Sequence, residues 1–152
     1  MKIVLECDGA SRGNPGRSAC SYRMLVDEKE VGGTGVPLPN TNTNNVAEYN
    51  AVFLAFAGLL CNKDAFTNLH KAAVELHSDS QLVVKQLNGE YKVRNKVLKG
   101  YYNSVQYQLK NLKDLVKSVE IKWVPRKELE IVDKMNNYIL DQEGPAVCLP
   151  IL

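Results

Sequence analysis

This 152-residue chain is poor in three kinds of signal. No run comes near the roughly 18 apolar residues of a membrane-spanning helix, and no apolar signal-peptide core follows Met1. The expectation is a soluble, cytoplasmic protein with no membrane partner. There is no CxxC pair, and the four cysteines (Cys7, Cys20, Cys61, Cys148) and two histidines fall into no metal-ligand spacing, which argues against a zinc site. There is no GxGxxG or Walker loop, so a nucleotide-binding reading has no support. What remains is ordinary for a globular protein: 45% hydrophobic and 24% charged residues, enough for one domain over residues 1–152 with a sizeable core.

Net charge is small but unevenly placed. The net formal charge is +2, yet residues 85–127 hold eleven Lys and Arg against three acids, a local +8 that leaves −6 on the rest. The asymmetry fits a basic surface for a polyanion beside an acidic cluster with another task, and a solvated lysine-rich helix face accounts for the charge equally well. Cys7 and Cys20 lie in strand patterns and read as small apolar groups. Cys61 ends an apolar helix and Cys148 lies in an apolar tail within residues 143–152, expected to dock on the domain. A Cys61–Cys148 bridge would close a loop of about ninety residues and stabilise by roughly 4–5 kcal/mol in the chain-entropy model. Reduced thiols, the usual state inside cells outside hyperthermophiles, are the expectation, with the bridge as the alternative.

Along the chain, Ile3, Val4 and Leu5 begin a short apolar strand that ends by delivering Asp8 into the glycine-rich turn GNPG. Residues 18–27 and 30–36 read as a hairpin. Residues 37–45 (PLPNTNTNN) read as a polar loop that either connects or binds. Asn45 is the expected N-cap of an apolar helix over 46–60, with Glu48 at the capping-box position. Residues 72–76 form a fourth strand, 81–87 a short helix, 95–116 a longer one with an apolar stripe, 119–124 a fifth strand and 129–142 a last helix. The order is βββαβααβα, in which strands one, four and five can be parallel through right-handed crossovers.

In such sheets, ligands gather at the carboxyl ends of the strands. Asp8 and Asp79 end strands one and four, and Glu48 opens the first helix. Each acid also has a plain structural account: Asp8 opens a turn, Glu48 closes a capping box, Asp79 caps a helix, and Asp133 in the second turn of the last helix is solvated.

Four blocks, CDGASRGNPG, TNNVAEYNA, SDSQLVVKQLNGEYKV and WVPRKELEIVD, occur in the order of type 1 ribonuclease H, which the sequence resembles over almost its whole length. The compact form without an inserted basic handle helix, and the Cys-bearing tail, are most similar to the archaeal branch. The resemblance implies an α/β, ribonuclease H-like fold: a five-stranded mixed sheet, order 3-2-1-4-5, flanked by helices. It implies an endonuclease that cuts the RNA strand of RNA/DNA hybrids, leaving 5′-phosphate and 3′-hydroxyl ends, through two Mg²⁺ ions about 4 Å apart with Mn²⁺ as a substitute. Asp8, Glu48, Asp79 and Asp133 are then the catalytic metal ligands, hard oxygen donors suited to a hard cation. Asp8 bridges both ions, Asp133 helps hold the ion on the water side, and Glu48 with Asp79 holds the ion at the leaving group.

By the same resemblance, Asn14, Asn44, Asn45 and Gln81 read the minor groove and Thr43 meets a phosphate. Lys85, Lys92, Arg94 and Lys96 are candidates for further phosphate contacts. Many members carry a His in the loop before the last acid; Arg126, Lys127 and Glu128 stand there instead, and Arg126 is the expected substitute. The common Asn-x-x-Ala-Asp pattern reads Leu129-Glu130-Ile131-Val132-Asp133 here. His70 and His77 match no catalytic position. Partners expected are the hybrid and, as a second substrate, double-stranded RNA, bound by a monomer. The alternative is a non-catalytic hybrid- or duplex-binding module of the same fold, against which the retained acids argue.

Overall fold

The computed structural model describes residues 1–142 and 147–149. Elements follow in the order β1 (Lys2–Gly13), β2 (Gly16–Val26), β3 (Lys29–Asn42), α1 (Asn44–Cys61), β4 (Ala73–Ser78), α2 (Gln81–Leu87), α3 (Lys96–Lys113), β5 (Ser118–Trp123), α4 (Glu130–Asp141) and β6 (Val147–Leu149). The central five strands take the expected order 3-2-1-4-5. β1 runs antiparallel to β2 and parallel to β4, which is parallel to β5. Of the tail expected to dock, residues 143–146 and 150–152 lie outside the described residues. Residues 147–149 add a short sixth strand antiparallel to β3 at Gly33–Gly35. Among the described residues no helix is long and apolar enough to cross a membrane.

Side-chain alternation sets the two faces of the sheet. Ile3, Leu5 and Cys7 of β1 and Cys20, Tyr22 and Met24 of β2 join the main core with Tyr49, Val52, Phe56 and Leu59 of α1. Ala10 and Ala19 point the other way and meet Ile139 and Leu140 of α4. Helix α1 is covered by the sheet on one side and by α3 on another, which is why its sequence is apolar almost all round. Fully burying a side chain such as Phe56 contributes about 1.5–3 kcal/mol. Cys7 and Cys20 are buried here as expected, and burial pushes their thiols up, Cys20 to about 12.

Two local readings need correction. Residues 37–45 are not a loop through most of their length: β3 pairs with β2 as far as Asn42 opposite Gly16. The prolines are accommodated because the ladder jumps between Arg17–Thr41 and Ala19–Pro37, so that residues 38–40 bulge out and Asn40 takes φ 63°. Helix α1 therefore starts earlier than expected. Thr43, not Asn45, is its N-cap, with Oγ1 accepting from the Val46 N–H at 3.3 Å. Finally, Cys61 carries a free, exposed thiol, as the reduced-thiol reading has it; the side chain of Cys148, the other half of the possible bridge, lies outside the described residues.

Candidate active site

The parallel ladder between β1 and β4 stops at Glu6 opposite His77. Beyond it β1 continues beside β2 alone, pairing Asp8 with Ser21. Asp8 is thus not at a strand terminus, as the glycine-rich turn had implied, but at the point where β4 turns away and the sheet splits. Into that split β4 delivers Asp79, one residue past its end.

Glu48 enters from α1. Its position beyond the first turn excludes the capping box, since with Thr43 as the cap no acid lies in that turn. Instead its Oε1 accepts from the Gly9 N–H at 2.8 Å, and Ser78 Oγ donates to Oε2 at 3.5 Å. Asp8, Glu48 and Asp79 each offer a carboxylate oxygen, and these oxygens lie within 4.8 Å of one another. Asp8 is 5% exposed and Glu48 8%.

Three acids at this spacing cannot all be ionised cheaply. Burial, then the charge of Asp79, pushes the Asp8 carboxyl up from 3.8 to about 7. Burial and the charges of Asp8 and Asp79 push Glu48 well above the usual carboxylate range. Asp79 is raised by burial too, with the Arg126 charge opposing. Such a cluster is destabilised by its own charge until a cation neutralises it. The donor set, oxygen only and close enough to share an ion, fits a hard divalent metal.

Asp133 stands in the first turn of α4 rather than the second, because the helix begins at Glu130 after a 3₁₀ turn over Arg126–Leu129. It lies outside the three-carboxylate group but lines the same cleft of about 320 Å³, with Asp8, Gly9, Ser11, Asn44, Asp79 and Arg126. Arg126 Nη2 sits 3.3 Å from Asp133 Oδ1, so the residue standing in the place of the loop His reaches the acids.

Asp79 is fixed on both sides. Trp123 Nε1 donates to its carbonyl at 3.1 Å, and Ser80, not Asp79, caps α2 by accepting from the Val83 N–H. Ser80→Ala is expected to cost about 1 kcal/mol of stability, read by thermal denaturation.

Four of the expected substrate-reading residues come together. Asn14, Thr43, Asn44 and Asn45 line one cleft of about 450 Å³, and Asn14 Oδ1 accepts from the Asn44 N–H at 3.0 Å. Asn44 lines the acid cleft as well, so the two are continuous. Gln81 lies apart, in a depression with Val84, Lys85, Glu90 and Trp123. Beside it the Lys85 Nζ is 4.9 Å from the Tyr91 ring centre. His70 is exposed and His77 pairs with Glu75 at 2.9 Å, and neither lines the acid cleft.

Sequence reasoning missed two residues. Asn95 caps α3 and joins the amide-lined cleft; as a helix cap in a polar stretch it carried no separate signal. Asn136 is buried against Asp8. Its signal was legible, since it sits four residues after Val132 and three before Ile139, a polar side chain on an inward stripe.

The ribonuclease H family model matches residues 1–132, ending one residue before Asp133. A ribonuclease HI of Halobacterium salinarum is 32% identical over 134 residues, 88% of this chain and 62% of its own length. A bifunctional protein of Mycobacterium tuberculosis is 33% identical over 144 residues, 93% of this chain but 36% of that protein. The chain therefore spans little more than a third of its mycobacterial relative and under two thirds of the halobacterial one. Among solved structures, the crystal structure of RNase H1 from H. salinarum superposes with a TM-score of 0.79 at 30% identity, covering 93% of this chain and 99% of that one. LC11-RNase H1 in complex with an RNA/DNA hybrid gives 0.79 at 25% identity, covering 93% and 98%. With the split sheet, the buried carboxylates and these likenesses in agreement, the chain belongs to the ribonuclease H family.

Proposed function

We propose that the protein is a divalent-metal-dependent endonuclease that hydrolyses the RNA strand of RNA/DNA hybrids, leaving 5′-phosphate and 3′-hydroxyl ends. The observation that carries the reading is the convergence of Asp8, Glu48 and Asp79, whose oxygens lie within 4.8 Å of one another, beside a cleft lined by amides. Asp8, Glu48, Asp79 and Asp133 would hold the metal. Bound there, a pair of Mg²⁺ or Mn²⁺ ions supplies water activation and neutralises charge on the leaving 3′ oxygen.

The chain's own contributions follow from position. Asn14, Asn44 and Asn45 offer exposed carboxamides on the continuous floor between the two clefts, suited to 2′-hydroxyls of the shallow minor groove. Thr43 stands beside them for a phosphate contact, and Gln81 serves the same strand pair from its separate depression. Arg126, at the mouth of the acid cleft, would meet the scissile phosphate, which competes with Asp133 for its guanidinium. Lys85, Lys92, Arg94 and Lys96 extend the track as phosphate contacts.

The test is cleavage of end-labelled hybrid, RNA duplex and DNA duplex with Mg²⁺ or Mn²⁺. Hybrid cut within its RNA strand is the expected result; hybrid bound but intact, with Asp8→Asn behaving like wild type, defeats the nuclease reading. Hybrid affinity should also fall with salt, and Arg94→Ala should reduce the log–log slope by about 1 if Arg94 meets a phosphate. An unchanged slope removes Arg94 from the track.

A further inference from the structure

Asn136 is fully buried on the inward face of α4, among Val132, Met135, Ile139 and Leu140. Its Nδ2 donates to the Asp8 backbone carbonyl at 2.9 Å and reaches the Asp8 carboxylate Oδ2 at 3.4 Å. Its Oδ1 accepts from Ser21 Oγ at 2.6 Å. Ser21, itself fully buried, is the residue paired with Asp8 across the β1–β2 ladder. One carboxamide thus joins α4 to both strands at a buried acid of the cleft.

Packing alone does not ask for this arrangement. A leucine of the same branched outline would suit the apolar neighbours, whereas a carboxamide must find partners or cost free energy. Here both ends are paired, and the partners are the backbone and carboxylate of one acid and the hydroxyl opposite it. The other groups closing on the Asp8 carboxylate are the acids Glu48, Asp79 and Asp133 and, through its charge, Arg126. Among the described residues Asn136 is the one non-titrating side chain that donates to it. Asp133 lies one turn earlier on the same helix, so the contact also ties that acid to the strand carrying Asp8.

We propose that Asn136, braced by Ser21, is a positioning residue that fixes the Asp8 carboxylate toward Glu48 and Asp79 and so sets the affinity of the acid cluster for divalent ions. This rests on the metal-dependent reading above. Hydrogen bonds to a ligating group orient it, and their loss lowers metal affinity by about 10- to 100-fold.

The experiment follows ion binding without substrate, by calorimetry and by the thermal upshift that Mn²⁺ or Mg²⁺ produces, together with steady-state cleavage of hybrid. For Asn136→Leu the metal concentration at half-effect is expected to rise about tenfold. At fixed metal kcat falls while KM for hybrid stays within about twofold, and more metal recovers part of the rate, because the change acts through Asp8 and not through hybrid contacts. Ser21→Ala should shift metal affinity in the same direction by a few-fold.

Folded Asn136→Leu protein with unaltered metal affinity and kcat overturns the proposal. Should that variant fail to fold, Ser21→Ala decides: wild-type metal affinity overturns the proposal, weakened affinity supports it. Wild-type protein that takes up no divalent ion overturns both this inference and the nuclease reading. Ion binding that follows the expected pattern without any cleavage overturns the nuclease reading alone and supports the assignment of Asn136.

Discussion

Asp8→Asn is expected to abolish hybrid cleavage and, in the absence of metal, to make the protein more stable. The substitution is nearly isosteric, so the packing of a side chain 5% exposed survives. What disappears is a charge that repels Asp79 and Glu48. A loss of at least a thousandfold in kcat, about 4 kcal/mol of transition-state stabilisation, is the expected scale for the acid at the centre of the cluster. Melting of metal-free protein at pH 8 should rise by several degrees, taking about 2–4 °C per kcal/mol for a chain of this size. A variant that cuts hybrid within tenfold of wild type would show that Asp8 is not part of the catalytic centre.

The same charge makes metal-free stability pH-dependent, and the sign follows from the direction of the shift. Asp8 binds its proton more tightly when folded, at about 7 against 3.8 for an ordinary Asp, so ionising it opposes folding. That cost is absent below about pH 4, grows as the pH rises through the window between those values, and is complete above 7. At 1.36 kcal/mol per unit the ceiling is about 4 kcal/mol, and the raised Glu48 acts in the same sense. Denaturant unfolding with a chelator should therefore give a less stable protein at pH 8 than at pH 5. Adding Mg²⁺ at pH 8 should restore the difference, since an ion that binds only the folded cluster stabilises it, and Asp8→Asn should flatten the profile. A chelated wild type equally stable at both values would contradict the raised carboxyl.

The order of elements was legible because alternation and apolar runs are local signals, and the meeting of Asp8, Glu48 and Asp79 followed from laying strands one and four side by side, although β1 runs on past Asp8. The strand order 3-2-1-4-5 and the place of Asp133 came with the resemblance alone. The failures share a physical cause, which is tertiary contact overriding local preference. Residues 37–42 carry turn residues, yet cross-strand pairing with β2 holds them extended, with the strain released in one bulge at Asn40. That extension brings Thr43 to the cap and moves Glu48 past the first turn, where the Gly9 N–H claims it. Nothing within α1 encodes this, because the partner is 39 residues away. The separation of Gln81 from Asn14 and Asn44 depends on where α2 lands on β5, and the sequence spacing between them is silent on it.

Gly9→Ala is the second large expected effect, and it tests how closely β1 and α1 approach. A Cβ on Gly9 would lie 2.2 Å from the Ala47 carbonyl carbon, 2.3 Å from its oxygen and 2.5 Å from the Glu48 nitrogen. All three are backbone atoms of α1, so no side chain can swing aside; strand and helix must separate. The Gly9 N–H to Glu48 contact at 2.8 Å then lengthens, and Glu48 is drawn away from Asp8 and Asp79. Overpacking of this kind costs about 3 kcal/mol, roughly a 10 °C fall in melting temperature, with cleavage lost along with the ligand geometry. Gly100→Ala supplies the control. No atom lies within 4 Å of the Cβ it would add in α3, and replacing a mid-helix glycine should stabilise by about 0.5–1 kcal/mol. If Gly9→Ala instead matches wild type in melting and in metal uptake, then the close approach of α1 to β1 does not hold, and the contact that places Glu48 beside the other acids goes with it.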